Sequence, residues 1–304
     1  MALLPVKERL LAKWRALPAN LRGALWMLMS AVIFVFADAT IKYLARSLEP
    51  VEIVFFRNVF SLATLLPVAL RAGGLTAFHT NYPGLQFSRA LLGGLAMICI
   101  FYSLQLLPLA DATAIMFSRT LWMIPCAVLF LHEAVRWRRW TATVAGFIGV
   151  LLIVRPDGGM GPGVIFALSN AVMAAAIFTI IKKLKSKGES NLTILLWHAS
   201  VTILITAVPT YLYWQTPTLF EFGLLIGLGI SLTLAHTCLI QALAVGEATA
   251  ISPFEYSRVV FSTLIGVFFF AEIPTVWTIA GAALVILSGF YIARREARRE
   301  KPLD

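Results

Sequence analysis

Residues 111–119 read DATAIMFSR, and residues 247–258 read EATAISPFEYSR. Asp111 answers to Glu247, and Ala112-Thr113-Ala114-Ile115 recurs as Ala248-Thr249-Ala250-Ile251. Ser118-Arg119 returns as Ser257-Arg258 after a three-residue insertion. Working outward at a shift of about 140 residues, Ile41-Lys42 matches Ile181-Lys182 and Gln105 matches Gln241. Glu133 matches Glu272, and Ala145-Gly146 matches Ala280-Gly281. A series of matches in the same order is the mark of a duplicated chain.

Each copy is made of apolar runs. The chain of 304 residues is 60% hydrophobic and 13% charged, with mean hydropathy +0.85. A soluble domain carries about 25% charged residues. A bilayer crossing takes about 20 predominantly apolar residues. Runs of that length fall at 21–45, 51–71, 84–107, 111–131, 138–155, 162–184, 191–213, 219–244, 248–271 and 275–293. The expectation is an all-α membrane protein of ten transmembrane helices, five in each copy. Five is odd, so the second copy enters the membrane upside down. Inverted repeats are characteristic of alternating-access transporters, with the solute site near the midplane between them. The expected organisation is an amphipathic surface segment at 1–20, two five-helix repeats at 21–158 and 159–293, and a basic tail at 294–304.

The basic residues set the orientation. With both termini in the cytoplasm, inside segments hold nineteen Lys and Arg, counting Arg71 and Arg89 in the second connection, and outside segments hold three. Arg57, Arg119 and Arg258 fall within spans. This bias satisfies the positive-inside rule. The same distribution argues against nucleic acid as the partner of a chain with net charge +10. Cys99, Cys126 and Cys238 lie far apart inside apolar runs, without metal-ligand or disulfide spacing. No HExxH, G-x-S-x-G, Walker A or Gly-rich dinucleotide loop is present, so neither an enzyme activity nor a cofactor is expected.

Ionisable groups inside a span are costly and usually face a cavity or a partner. Asp38 in span 1 is a candidate ligand or proton carrier. Arg119 and Arg258 lie roughly 12 and 16 Å deep from opposite sides at 1.5 Å per residue. They could anchor an anionic group or form gate pairs, with Asp38 as the expected partner of Arg119. Glu255, three residues before Arg258, is placed on the same helical face. Arg57 is accounted for equally well by snorkelling to the interface. His236 lies deep in span 8, and Gln105 and Gln241 match by repeat. Tyr102, Trp122 and Tyr256, with Phe101 and Trp197, sit near these charges and suit a planar or cationic solute. The candidate substrate-binding set is Asp38, Tyr102, Gln105, Arg119, Trp122, His236, Gln241, Glu255, Tyr256 and Arg258. Glu133 and Glu272 are expected in helix-end contacts.

The ten spans, the five-plus-five repeat and the Glu near the end of the fourth span of each half resemble the EamA branch of the drug/metabolite transporter superfamily. Within it, the stretches at 52–67, 137–156, 213–229 and 248–258 look like the bacterial S-adenosylmethionine uptake carriers. The resemblance implies a multi-pass inner-membrane carrier in which spans 1–4 and 6–9 surround a central cavity and spans 5 and 10 are peripheral. It implies a small-molecule substrate, with S-adenosylmethionine first. An amino acid, riboflavin or another vitamin, and a drug-like cation are the alternatives. A channel or a lipid-handling membrane enzyme is the alternative of another class. Coupling is either to protons or to a counter-solute, and the assembly is a monomer or weak homodimer in the bilayer.

Overall fold

The computed structural model describes residues 17–119, 121–123, 125, 137–154, 161–245 and 254–300. They form α1 (Ala19–Leu44), α2 (Pro50–Arg71), a 3-10 turn (Gly74–Phe78), α3 (Pro83–Leu106), α4 (Leu109–Phe117) and α5 (Trp137–Val154). The second half holds α6 (Pro162–Ser186), α7 (Asn191–Leu212), α8 (Leu219–Val245), α9 (Ser257–Phe270) and α10 (Val276–Glu300). No strand occurs among the described residues. In hydrocarbon only internally satisfied backbone can span, and helices meet that demand within one segment. Six of the helices, α1, α2, α3, α6, α7 and α8, are long and apolar enough to cross a membrane, and shorter apolar helices occupy 143–153, 257–270 and 276–288. Prolines open α2, α3 and α6, at the position where the missing N–H costs nothing. Ser190 caps α7, its Oγ accepting from the Thr193 N–H at 3.0 Å.

One feature departs from the sequence reading. Spans 4 and 9 are not continuous helices. α4 ends at Phe117, Ser118 makes a turn, and helical backbone resumes at Arg119. The second interruption lies at Tyr256, between helical Phe254-Glu255 and α9. Hydropathy cannot register such breaks, because the apolar pattern runs through them. α10 continues to Glu300 through the basic stretch expected to be a tail, where Glu296 and Glu300 alternate with arginines at helix-compatible spacing. The amphipathic segment expected at 1–20 lies outside the described residues up to position 16.

The helices pack in matched pairs. Equating each helix of the first half with the one five places on, α1 against α8 is matched by α6 against α3. In the same way α1 against α9 is matched by α6 against α4, and α2 against α8 by α7 against α3. α2 packs on its own counterpart α7, and α5 on α10. Side chains repeat the relation. Ser30 Oγ donates to Ala235 O across α1–α8 at 2.8 Å. Asn170 Nδ2 donates to Ala96 O across α6–α3, also at 2.8 Å. The interior prolines Pro67 and Pro209 stand in the last turns of α2 and α7.

Small residues allow the close crossings. A Cβ on Gly149 would lie 2.7 Å from Gly281 O, and one on Gly281 would strike Gly149 O, so α5 and α10 touch backbone to backbone. A buried core runs through α1, α2, α3 and α8 around Leu44, Ile53, Leu104 and Leu228. A second joins α4, α5, α9 and α10 around Phe117, Leu121, Ile153 and Val285. Leu204 and Phe268 are 71% and 78% exposed. Such outward apolar side chains would aggregate in water and suit a lipid surround.

Candidate functional site

Helices α1, α4 and α9, with the segments at their breaks, bring together the ionisable groups of the spans. Asp38, buried on α1, accepts from Arg258 Nη2 at 2.5 Å. Arg119 forms an ion pair with Glu255. The partners are therefore not those expected from the sequence. Asp38 takes Arg258 rather than Arg119, and Glu255 faces Arg119 rather than stacking with its own neighbour Arg258. Depth in the membrane fixes how far along a helix a charge sits, but not which way it points.

Each pair lies on aromatic faces. The Arg258 guanidinium stands 4.7 Å from the Phe34 ring centroid, and Arg119 lies 5.7 Å from both Phe117 and Phe178. Desolvated guanidinium–ring contacts of this kind are attractive and also keep the cation oriented. Phe34 in turn meets His236 edge to face at 5.0 Å. His236 is exposed on α8. Its Nδ1 stands 2.7 Å from Leu232 O. Tyr256 is buried against Phe117 at 5.2 Å. Trp122 meets Phe147 edge to face at 4.7 Å, and its indole N–H has no hydrogen-bond partner among the described residues.

The other candidates go elsewhere. Gln105 Nε2 donates to Ala45 O at 2.7 Å, a tie between helix ends. Tyr102 stacks on Phe166 at 5.2 Å and its hydroxyl donates to Glu49 at 3.4 Å. Gln241 is exposed on α8. Phe101 is buried in the core, and Trp197 donates to Phe78 O at 2.9 Å. The aromatic bed is Phe34, Phe117 and Phe178 instead, residues that composition gives no reason to single out among 21 phenylalanines. Glu272 behaves as expected for a helix-end residue. It accepts from the Leu109 N–H at the start of α4, 2.8 Å away, and pairs with Lys42. Glu133 lies outside the described residues.

Sequence reasoning underrated two further cations. Arg57 on α2 turns to α3, with Nη1 2.7 Å from Met97 Sδ, and is partly accessible. Arg89, counted above with a connection, lies in the second turn of α3 and is partly accessible too. Among the described residues no group of His, Cys, Asp and Glu could hold a metal ion.

The profile of the EamA-like transporter family matches the chain twice, over residues 21–155 and 161–294. The S-adenosylmethionine uptake transporter of Rickettsia prowazekii (strain Madrid E) is 34% identical over 284 residues, covering 93% of this chain and 96% of that protein. A riboflavin transporter of Rhizobium johnstonii is 29% identical, covering 92% and 93%. The pseudopaline exporter CntI of Pseudomonas aeruginosa is 28% identical, covering 90% and 96%. A solved crystal structure superposes with TM-score 0.60 at 18% identity, covering 92% of this chain and 99% of that one, a likeness of fold alone.

Proposed function

The chain belongs to the EamA-like transporter family, and we propose that it is an inner-membrane secondary carrier of S-adenosylmethionine working by alternating access. In this reading ten spans form two inverted repeats, 21–158 and 159–293, with both termini cytoplasmic. The matched helix pairings and the doubled family match support it. The observation that carries the site is the meeting of two Arg–carboxylate pairs, Asp38–Arg258 and Arg119–Glu255, beside the breaks in spans 4 and 9. Interrupted helices in transporters are found where backbone lines a solute cavity.

The chemistry fits a zwitterionic sulfonium. Its positive sulfur suits the faces of Phe34, Phe117 and Phe178 and the carboxylates of Asp38 or Glu255. Trp122, Tyr256 and His236 complete the wall. Each internal ion pair can open toward the solute and close behind it, so no charge is left buried and alone in either state. The similarity to S-adenosylmethionine uptake transporters supports the choice of solute and of inward movement.

A thermal-shift screen on the purified protein tests the substrate, since a ligand that prefers the folded state raises its apparent stability. S-adenosylmethionine should stabilise, and riboflavin, free amino acids and drug-like cations should not. Stabilisation by one of those instead would replace the substrate. A ligand recovered with altered mass would point to an enzyme. Collapse of net uptake by a protonophore would assign proton coupling, and its indifference would assign exchange.

A further inference from the structure

Arg57 on α2 and Arg89 on α3 lie within electrostatic reach of one another and of His198 on α7. His198 sits against Gly93, one turn beyond Arg89. A Cβ at Gly93 would fall 2.9 Å from the imidazole and 3.9 Å from Arg89 Nη1. One turn further along, Met97 meets Arg57. Residues 89, 93 and 97 thus make one face of α3, and both guanidinium groups are turned to it.

Among the described residues these cations are uncompensated. There, Nε of Arg57 and both Nε and Nη1 of Arg89 have no hydrogen-bond partner. The sulfur contacted by Arg57 is a weak acceptor. Among the described residues neither arginine has a carboxylate in ion-pair contact, whereas Arg119 and Arg258 each have one. Two like charges drawn toward a protein interior are expensive unless an anion joins them, and the described residues offer none in contact. Both side chains stay partly accessible, so solvent reaches them. A guanidinium is permanently charged and presents a planar fork that matches an oxyanion.

We propose that Arg57 and Arg89 form a binding site for the oxyanion of the transported metabolite, a carboxylate or phosphate group, which supplies the negative charge the fold omits. This rests on the carrier reading above and divides the solute between two places. The cationic part goes to the Asp38 and Glu255 region, and the anionic part to the α2–α3–α7 face. For S-adenosylmethionine the anionic part is its carboxylate.

The test uses the purified full-length chain, with thermal unfolding followed against S-adenosylmethionine, its decarboxylated analogue, acetate and inorganic phosphate at fixed ionic strength. Arg57→Gln and Arg89→Gln are compared with wild type and with Arg71→Gln, a control at the exposed end of α2. S-adenosylmethionine should bind wild type at least about tenfold more tightly than its decarboxylated analogue. That ratio should fall toward one in both site variants and persist in the control. The ligand-free site variants should melt no lower than wild type, because a repulsion between like charges has been relieved. If either fails to fold, the ratio in wild type still decides. Equal binding of the two analogues would overturn the site while leaving the substrate standing. Phosphate or acetate binding that depends on Arg57 and Arg89, without S-adenosylmethionine binding, would keep the site and overturn the substrate. No stabilisation by any of the four would overturn both.

Discussion

Asn170 makes in the second half of the chain the hydrogen bond that Ser30 makes in the first. Ser30 reaches Ala235 O across α1–α8, and Asn170 reaches Ala96 O across α6–α3, both at 2.8 Å. The sequence separation of the two donors, 140 residues, is also the shift of the internal repeat. The two contacts are therefore equivalent positions of a duplicated unit, arrived at with different side chains. In a protein with Cys99, Cys126 and Cys238 replaced, the pairs Ser30→Cys with Ala235→Cys and Ala96→Cys with Asn170→Cys should both cross-link with a short thiol reagent. Efficient reaction of one pair and none of the other would contradict the equivalence.

In the Asp38–Arg258 pair Asp38 is buried and Arg258 nearly so, with side chains 8% and 13% accessible. Removing one partner of a buried pair leaves an orphan charge at a cost of about 3–5 kcal/mol. Asp38→Asn and Arg258→Gln should each lower the melting temperature and abolish uptake while still inserting into the membrane. The double variant should melt higher than either single one, because it leaves no orphan. A double variant that melts at the sum of the two losses would mean that the residues do not act as a pair.

Arg119 and Glu255 are more open, with side chains 22% and 35% accessible. An exposed pair contributes about 0–1 kcal/mol to stability. Glu255→Gln and Arg119→Ala should therefore leave the melting temperature almost unchanged and still abolish transport. Normal uptake by either would remove this pair from the solute path.

The six helices long and apolar enough to cross a membrane were legible in the sequence, and the facing of the charges only in part. Hydropathy places α2 at 50–71 and α7 at 191–212 to within a residue, because the bilayer sets a length that composition must meet. Depth along a helix is legible too, but facing is not. Asp38 and Arg119 share a depth, and Asp38 nonetheless turns to α9. Arg57 reads like any interfacial arginine until Met97 of α3 is seen against it. The breaks at Ser118 and Tyr256 leave no trace in hydropathy, since both fall within apolar runs. The repeat offered a hint, as its three-residue insertion falls immediately before Ser257-Arg258, beside the second break.

The α5–α10 crossing depends on two hydrogen atoms where side chains would be. With backbone oxygen 2.7 Å from a Cβ at Gly149, the helices must separate to admit even a methyl group. Gly149→Val should lower thermal stability and yield, and the apparent affinity for solute in the surviving protein should stay within about twofold, because neither α5 nor α10 supplies a residue to the two ion pairs. A large change in affinity at unchanged stability would place this crossing on the transport path.

Counterflow tests the carrier account most directly. Proteoliposomes are loaded with unlabelled S-adenosylmethionine and diluted into a trace of the labelled compound. A carrier that alternates its access returns to face outward faster when loaded, so label should accumulate transiently above its equilibrium level. Asp38→Asn liposomes should show no such overshoot. Label that only equilibrates, at a rate indifferent to internal S-adenosylmethionine, would describe a channel and contradict the account.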